Sequence, residues 1–210
     1  MSHAGRRVIK LGGSLLDLPN VVERLRAWLA LQAPRSSVLV VGGGQAVDDL
    51  RAADRASPGI PCEMHWRCVR AMGVNARRIA DQLGTPVVKC GEDLQSTSTE
   101  PALHVFDVQQ FLEEDSRSAR KPLPCDWSVT SDSIAACLAN KLGAAELVLL
   151  KSKLPDQPVD FKQLSLSRYV DAYFAQAGLG KFTIRAVNLR KAAFDEVTIR
   201  ASKGRGAVNP

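Results

Sequence analysis

Near its start the chain twice repeats one arrangement: a short apolar run that empties into glycines and then opens a helical pattern. The first is Val8-Ile9-Lys10-Leu11-Gly12-Gly13-Ser14 and the second is Val38-Leu39-Val40-Val41-Gly42-Gly43-Gly44. Unbroken apolar runs of this length read as strands buried on both faces, and a strand, tight turn and helix in that order is part of a parallel βαβ unit. The two junctions therefore predict an α/β architecture with parallel strands and helices on both faces. They also bound the chemistry. Glycines let backbone N–H groups approach an anion closely, and a helix start adds partial positive charge, so each junction predicts a phosphate cradle. Lys10, just before the first glycines, is placed to stabilise charge on oxygens during phosphoryl transfer.

The same alternation continues down the chain. Helices are expected over 21–29, 45–55, 64–83, 108–114, 131–142 and 166–177, and strands over 37–41, 86–89, 103–106, 146–150, 182–187 and 196–200. Residues 91–100 and 151–158 read as loops, and 202–210 as a frayed tail. Residues 117–124, polar, basic and closed by prolines, form the best internal boundary and divide the chain into lobes of 1–124 and 125–210 within one continuous fold.

Composition narrows the class. With 210 residues, 45% of them hydrophobic, the chain has ample material for a buried core. No run approaches the ~20 apolar residues of a membrane span, so a cytoplasmic protein without a membrane partner is expected. The net charge of +6 favours anionic ligands. Basic residues are spread out and aromatics scarce, which argues against a nucleic-acid surface. The five cysteines, Cys62, Cys68, Cys90, Cys125 and Cys137, are odd in number and lack CxxC spacing, so reduced core thiols are expected. The run Cys62-x-x-His65-x-x-Cys68 offers three ligands on a helix without a fourth, so packing and no metal site is the expectation.

Beyond the glycine turns, several residues are candidates for a charged site. Asp132, in Thr130-Ser131-Asp132-Ser133, is open to two readings: it caps the following helix, or its carboxylate orients Lys10 and a second lysine toward a transferring phosphoryl group. Lys151, Lys153 and Lys181 sit at strand-loop junctions of the second half, where nucleotide phosphates could lie, though each is equally readable as a surface lysine. His65 and Trp66 fall at core or interface positions of a long helix, with catalysis by His65 as the other option. The chain contains neither GxxxxGK[ST] nor GxGxxG, which argues against a P-loop kinase and a dinucleotide-binding redox protein.

VIKLGGS, VVGGGQAVDDLR and TSDSIAACLANKLGA followed by LVLLK together resemble the amino acid kinase superfamily. The resemblance implies a three-layer α/β/α sandwich with a mainly parallel central sheet, the acceptor on the N-terminal half and ATP on the C-terminal half. It implies that Lys10 stabilises the phosphoryl group in flight, with Lys151 or Lys181 as the further lysine of the transfer step. Gly12, Gly13 and Ser14 would cradle ATP phosphates, with Lys153 on the nucleotide side, and Gly42, Gly43 and Gly44 would bind the acceptor. Asp132 matches the organising aspartate. ATP and Mg2+ follow as cofactors, and a homodimer or higher oligomer as the assembly.

Within the superfamily, His65-Trp66, Ala71-Met72 and the stretch 126–136 are similar to the branch of methanofuran and methylofuran biosynthesis that phosphorylates 5-(aminomethyl)-3-furanmethanol phosphate to a diphosphate. A small phosphorylated acceptor is therefore expected. The chain departs from many members at Leu150-Lys151-Ser152-Lys153-Leu154-Pro155, where they carry a Thr-Asp-Val-Asp-Gly type loop. Two other readings compete: a kinase of a carboxylate or carbamate acceptor, and a relative that binds nucleotide or oxyanion without turnover.

Overall fold

The computed structural model describes residues 5–89, 101–156 and 160–199. Seven strands form one sheet in the order β3-β4-β2-β1-β5-β6-β7. In chain order they are β1 (Arg7–Leu11), β2 (Ser37–Val41), β3 (Val87–Val88), β4 (Leu103–Phe106), β5 (Glu146–Lys151), β6 (Thr183–Asn188) and β7 (Glu196–Ile199). All pairings are parallel except β6 with β7. The helices are α1 (Val21–Ala30), α2 (Gly44–Ala56), α3 (Pro61–Leu83), α4 (Val108–Ser118), α5 (Ser131–Lys141), α6 (Phe161–Leu166) and α7 (Phe174–Ala177), with a single 3-10 turn at Gly13–Leu15.

Two apolar layers, one on each face of the sheet, explain why the strands read as unbroken apolar runs. Val8, Val38, Val40, Leu147 and Leu149 point to one face, where Phe111, Ile134, Leu138 and Phe174 from α4, α5 and α7 cover them. Ile9, Leu11, Leu39, Val41, Val148 and Leu150 point to the other, against Leu25 and Trp28 of α1 and Ile79 of α3. A period of two along strands buried on both sides produces this partition. The result is a three-layer α/β/α sandwich with a mostly parallel central sheet. The 1–124 and 125–210 portions share that sheet, because β1 pairs with β2 on one side and β5 on the other. Strand order thus runs in opposite directions from β1, and in parallel sheets such a reversal leaves a crevice at the carboxyl ends of the strands, where ligands bind.

The structure departs from the sequence reading in three places. In place of the helix expected over 166–177, α6 ends at Leu166, residues 167–173 are non-helical, and helix resumes only over Phe174–Ala177 as α7. Asp160 caps α6 by accepting from Gln163 N at 2.8 Å, and Arg168, at φ 57°, takes the left-handed conformation that stops it. Helix α4 runs on to Ser118, into the expected boundary, with the Ser116 and Ser118 hydroxyls donating to carbonyls of the preceding turn. Cys62 and Cys125, expected as reduced thiols, form a disulfide across a separation of 63 residues. Folding lays the start of α3 beside the connection before α5, with the two Cα atoms 4.7 Å apart. Cys62 is therefore not a metal ligand. Cys68 and Cys137 are free thiols. Cys90, the 91–100 loop and the 202–210 tail lie outside the described residues. Among the described residues no helix is long and apolar enough to cross a membrane.

Candidate active site

Because β1 and β2 are neighbours in register, Leu11 opposite Val41, their glycine turns leave the sheet side by side. The turns touch backbone to backbone. A Cβ on Gly13 would lie 2.5 Å from the Gly44 nitrogen, and one on Gly42 would lie 2.6 Å from the Gly13 nitrogen, closer than real Cβ atoms come. Gly44 opens α2 at φ 58°, a conformation that favours glycine. From α3, the Asn75 side-chain amide donates to the Gly42 and Gly43 carbonyls at 3.0 and 2.9 Å. With those carbonyls engaged behind the turn, the second junction is fixed in shape.

A cavity of about 220 Å³ opens over Gly13, Ser14, Gly43 and Gly44. Val47, Asp48 and Arg51 of α2 and His65, Cys68, Val69 and Met72 of α3 form its long walls. Asp126, Trp127, Val129 and the start of α5 at Thr130, Ser131 and Ile134 close it. The Trp127 indole N–H donates to Asp54 at 2.7 Å, and the Arg51 guanidinium lies 5.0 Å from the Trp127 ring centroid while pairing with Asp48 at 2.8 Å. His65 is buried, and burial lowers its pKa against the opposing pull of Asp126. Asp126 is held below the usual carboxylate range by hydrogen bonds with Ser128, whose backbone N–H donates to it at 2.7 Å.

Beside the glycine turns lies a charged cluster of three. The Lys10 ammonium stands 2.9 Å from Asp132 Oδ1 and the Lys151 ammonium 2.7 Å from Oδ2. Lys10 and Asp132 are each only 4% exposed. The Lys10 contact is an ion pair out of line for a hydrogen bond, whereas Lys151 donates to Asp132 and also to the Tyr169 carbonyl at 2.9 Å. Burial pushes the Asp132 carboxyl up, but Lys10 and Lys151 outweigh it and hold the group at about 2. Lys151 is brought down to about 8, first by burial and then by Lys10, with Asp132 opposing. Two ammonium groups on one carboxylate leave an excess positive charge in a desolvated place, which is costly without an anion and strongly attractive to one.

The two readings of Asp132 are separated by Asp171. Thr130 is the N-cap of α5 without a side-chain cap bond of its own. Instead, Asp171 accepts from Thr130 N, Thr130 Oγ1 and Ser133 N at 2.9, 2.8 and 3.0 Å, and from the Ser133 hydroxyl. Asp171 caps the helix, and the Asp132 carboxylate is turned to the two lysines.

The remaining sequence candidates divide. Gly13, Ser14, Gly43 and Gly44 line the cavity, while Gly12 and Gly42 lie behind, packed against Leu150 and Gly13. Ser14 Oγ donates to Ser152 Oγ at 3.3 Å, bridging the first turn to the end of β5. Lys153 is exposed and lines a second cavity of about 280 Å³ with Leu154, Pro155, Asp156, Gln163, Ser167, Arg168 and Tyr169. Lys181 is not brought to the site. It is exposed just before β6, whose first residue Thr183 pairs with Glu146, whereas Lys151 pairs with Asn188 at the strand's other end. At ~3.3 Å per residue that separation is roughly 20 Å. Its glycine neighbours serve a turn in which Gly180 packs on Asn140 and Phe182. Sequence reasoning did not single out Arg51, Asn75, Asp126, Trp127 or Asp171 as site residues, and took His65 as a core position. Each joins the site through contacts between distant segments that no local pattern announces.

Comparison with known proteins follows the same outline. The model of the amino acid kinase family matches residues 5–153. No protein of curated function matches the chain. Among solved structures, UMP kinase from Ureaplasma parvum superimposes with a TM-score of 0.61 at 13% identity, over 89% of this chain and 91% of that one. Uridylate kinase from Archaeoglobus fulgidus gives a TM-score of 0.57 at 16% identity over 86% and 89%. Aspartate kinase from Synechocystis gives 0.60 at 15% identity, covering 92% of this chain but 40% of its own. These likenesses are of fold, and the family match spans both glycine turns, Asp132 and Lys151. The chain belongs to the amino acid kinase family.

Proposed function

We propose that this protein is an ATP-dependent phosphotransferase that converts a small phosphomonoester to a diphosphate. The observation that carries the reading is the Lys10–Asp132–Lys151 cluster set beside two glycine turns in backbone contact. In the reaction an oxygen of the acceptor phosphate forms a bond to the γ-phosphorus of ATP as the bond from that phosphorus to the β,γ-bridging oxygen breaks, leaving ADP. The acceptor phosphate attacks as an anion, so no general base is required. What the protein must do is align two anions and offset their charge.

Lys10, at the end of β1 between the turns, serves the transferring phosphoryl oxygens, and Lys151 serves the nucleotide side. Asp132 keeps both ammonium groups in place. Backbone N–H groups of Gly13, Ser14, Gly43 and Gly44, which line the cavity, hold the two phosphate-bearing partners, while Gly12 N and Gly42 N donate to the Leu150 and Leu11 carbonyls and fix the turns behind them. The ammonium and amide donors fit phosphate oxygens. Both Asp132 oxygens face lysines, so Mg2+ would be carried on the nucleotide's phosphates, where it supplies charge neutralisation. The 220 Å³ cavity, lined mainly from the 1–124 portion, takes the acceptor, and the 280 Å³ cavity beside Lys153 and Tyr169 takes the nucleotide from the 125–210 portion.

For the acceptor we favour a 5-(aminomethyl)-3-furanmethanol phosphate-like compound of methanofuran or methylofuran biosynthesis. Support comes from where the branch-like residues fall: His65, Met72, Asp126, Trp127, Val129, Thr130, Ser131 and Ile134 all line the acceptor cavity. Activity in the cytoplasm as a homodimer or higher oligomer belongs to the same proposal. The test is incubation with Mg·ATP and a panel of phosphorylated and unphosphorylated acceptors, read by phosphorus NMR. A new pair of coupled diphosphate resonances with stoichiometric ADP is the expected result. A carboxyl phosphate product, or nucleotide binding without ADP release, overturns it.

A further inference from the structure

The transfer cluster depends on a segment that comes from the far side of the second cavity. Residues 167–173 do four things at once. Ser167, Arg168 and Tyr169 line the 280 Å³ cavity. The Tyr169 carbonyl accepts from Lys151, whose ammonium also lies 5.2 Å from the Tyr169 ring. Asp171 caps α5 on both sides of Asp132, through Thr130 two residues before it and Ser133 one residue after it. Tyr173 N donates to the Ser128 carbonyl at 3.1 Å, next to the Trp127 and Val129 wall of the acceptor cavity.

We infer that Asp171 is a positioning residue for phosphoryl transfer: by capping α5 from the 167–173 segment it fixes the Asp132 carboxylate between Lys10 and Lys151 and links the nucleotide-side cavity to that cluster. The geometry favours this over a plain helix cap. Four donors converge on Asp171, two of them backbone N–H groups and two hydroxyls; burial and the neighbouring Asp132 push its carboxyl up, and these donors oppose that push. Asp132 lies between the two residues that Asp171 grips, and a small rotation of the first turn of α5 would carry its carboxylate off one lysine. Lys151 is faced by Asp132 on α5, Lys10 on β1, and Tyr169 and Asp171 on the segment itself. The Asp171 charge adds to the field that keeps Lys151 protonated.

This inference rests on the phosphotransferase reading for its kinetic arm only. The first measurement needs no turnover: NMR titration of lysine side chains in 13C-labelled protein, with Lys151 assigned through Lys151→Arg. Asp171→Asn keeps a carbonyl oxygen for the Thr130 and Ser133 donors and removes the charge, so the Lys151 midpoint should move to lower pH. The second measurement is steady-state kinetics at a fixed pH of 7. Asp171→Ala should lower kcat by about 10²-fold, the scale of an ångström-sized misplacement, with the acceptor KM near wild type. Asp171→Asn should recover most of that kcat.

An unmoved Lys151 midpoint in Asp171→Asn overturns the proposal, as does wild-type kcat in Asp171→Ala. Parallel losses of thermal stability and kcat in both variants, with no recovery in the asparagine form, likewise reduce Asp171 to a structural cap. If the wild type turns over no acceptor, the phosphotransferase reading has failed, while the titration still supports or overturns the role of Asp171.

Discussion

The two cavities that flank the lysine cluster are built by different means. The cavity proposed for the acceptor is walled by long helices, α2 of 13 residues and α3 of 23, and fastened at several points. The Cys62–Cys125 disulfide ties α3 to the connection carrying Asp126 and Trp127, the Trp127–Asp54 hydrogen bond ties the same connection to α2, and Asn75 holds the second glycine turn. The cavity proposed for the nucleotide is formed by α6, of six residues, and the chain that follows it, anchored by the Tyr169 carbonyl to Lys151, by four donors on Asp171 to the start of α5, and by Phe161, Leu164 and Val170 in the core. A pre-organised wall discriminates between acceptors because its shape does not adjust to the wrong one. The other side is assembled from shorter pieces, and on the proposed function it borders the nucleotide, which must enter and leave each cycle. On the proposed function, acceptor discrimination belongs to the first flank and nucleotide exchange to the second.

Variants can break or sharpen this contrast. The largest effect is expected from Lys10→Ala, which removes charge from the point where the flanks meet. The loss in kcat should be about 10³-fold, in line with deleting a cation that stabilises a transferring phosphoryl group, with circular dichroism unchanged. Asp132→Asn should follow, at about 10²-fold, since both ammonium groups then lose their buried partner. Its mark would be a further fall in the Lys151 titration midpoint, measurable by NMR.

The pH profile probes the nucleotide flank. Lys151 acts when protonated and its pKa is lowered to about 8, so kcat should be level below that pH and fall as pH rises through it. In Lys151→Arg, whose guanidinium stays charged, the alkaline fall should disappear. On the acceptor flank, Cys125→Ser should raise the acceptor KM several-fold and leave the ATP KM in place. Opening the 63-residue loop should also lower thermal stability, by about 4 kcal/mol on chain-entropy grounds. Equal effects on both KM values would show that the flanks are not independent. The smallest effect is expected from Lys181→Ala, within about twofold of wild type by steady-state kinetics, because an exposed residue far from the cluster contributes little.

How much of this was legible in the sequence follows the range of the interactions. Strands β2 and β4 fall at the expected residues, since buried parallel strands announce themselves as apolar runs. The places of Lys10 and the glycine turns at the strand ends were legible for the same reason, although only the second turn opens directly into an α-helix; the first passes through the 3-10 turn at Gly13–Leu15. Asp132 was half legible, since spacing alone could not separate a cap from an ion-pair partner until Asp171 arrived from 38 residues away to supply the cap. Cys62 with Cys125 and Asn75 with Gly42 were not legible, because each pairing is made only when α3 packs across the glycine turns. Lys181 misled in the opposite direction. A lysine after glycines resembles a phosphate site, but its position at the amino end of β6 puts it at the wrong edge of the sheet.

The contact between Gly13 and Gly42 has an evolutionary consequence. Because a Cβ on either glycine would meet the other turn's backbone at 2.5 to 2.6 Å, the floor proposed to lie beneath the two substrates admits no substitution that adds a side chain. Drift toward new acceptors must therefore run through α2, α3 and the Trp127 connection, leaving the phosphates' resting place unaltered.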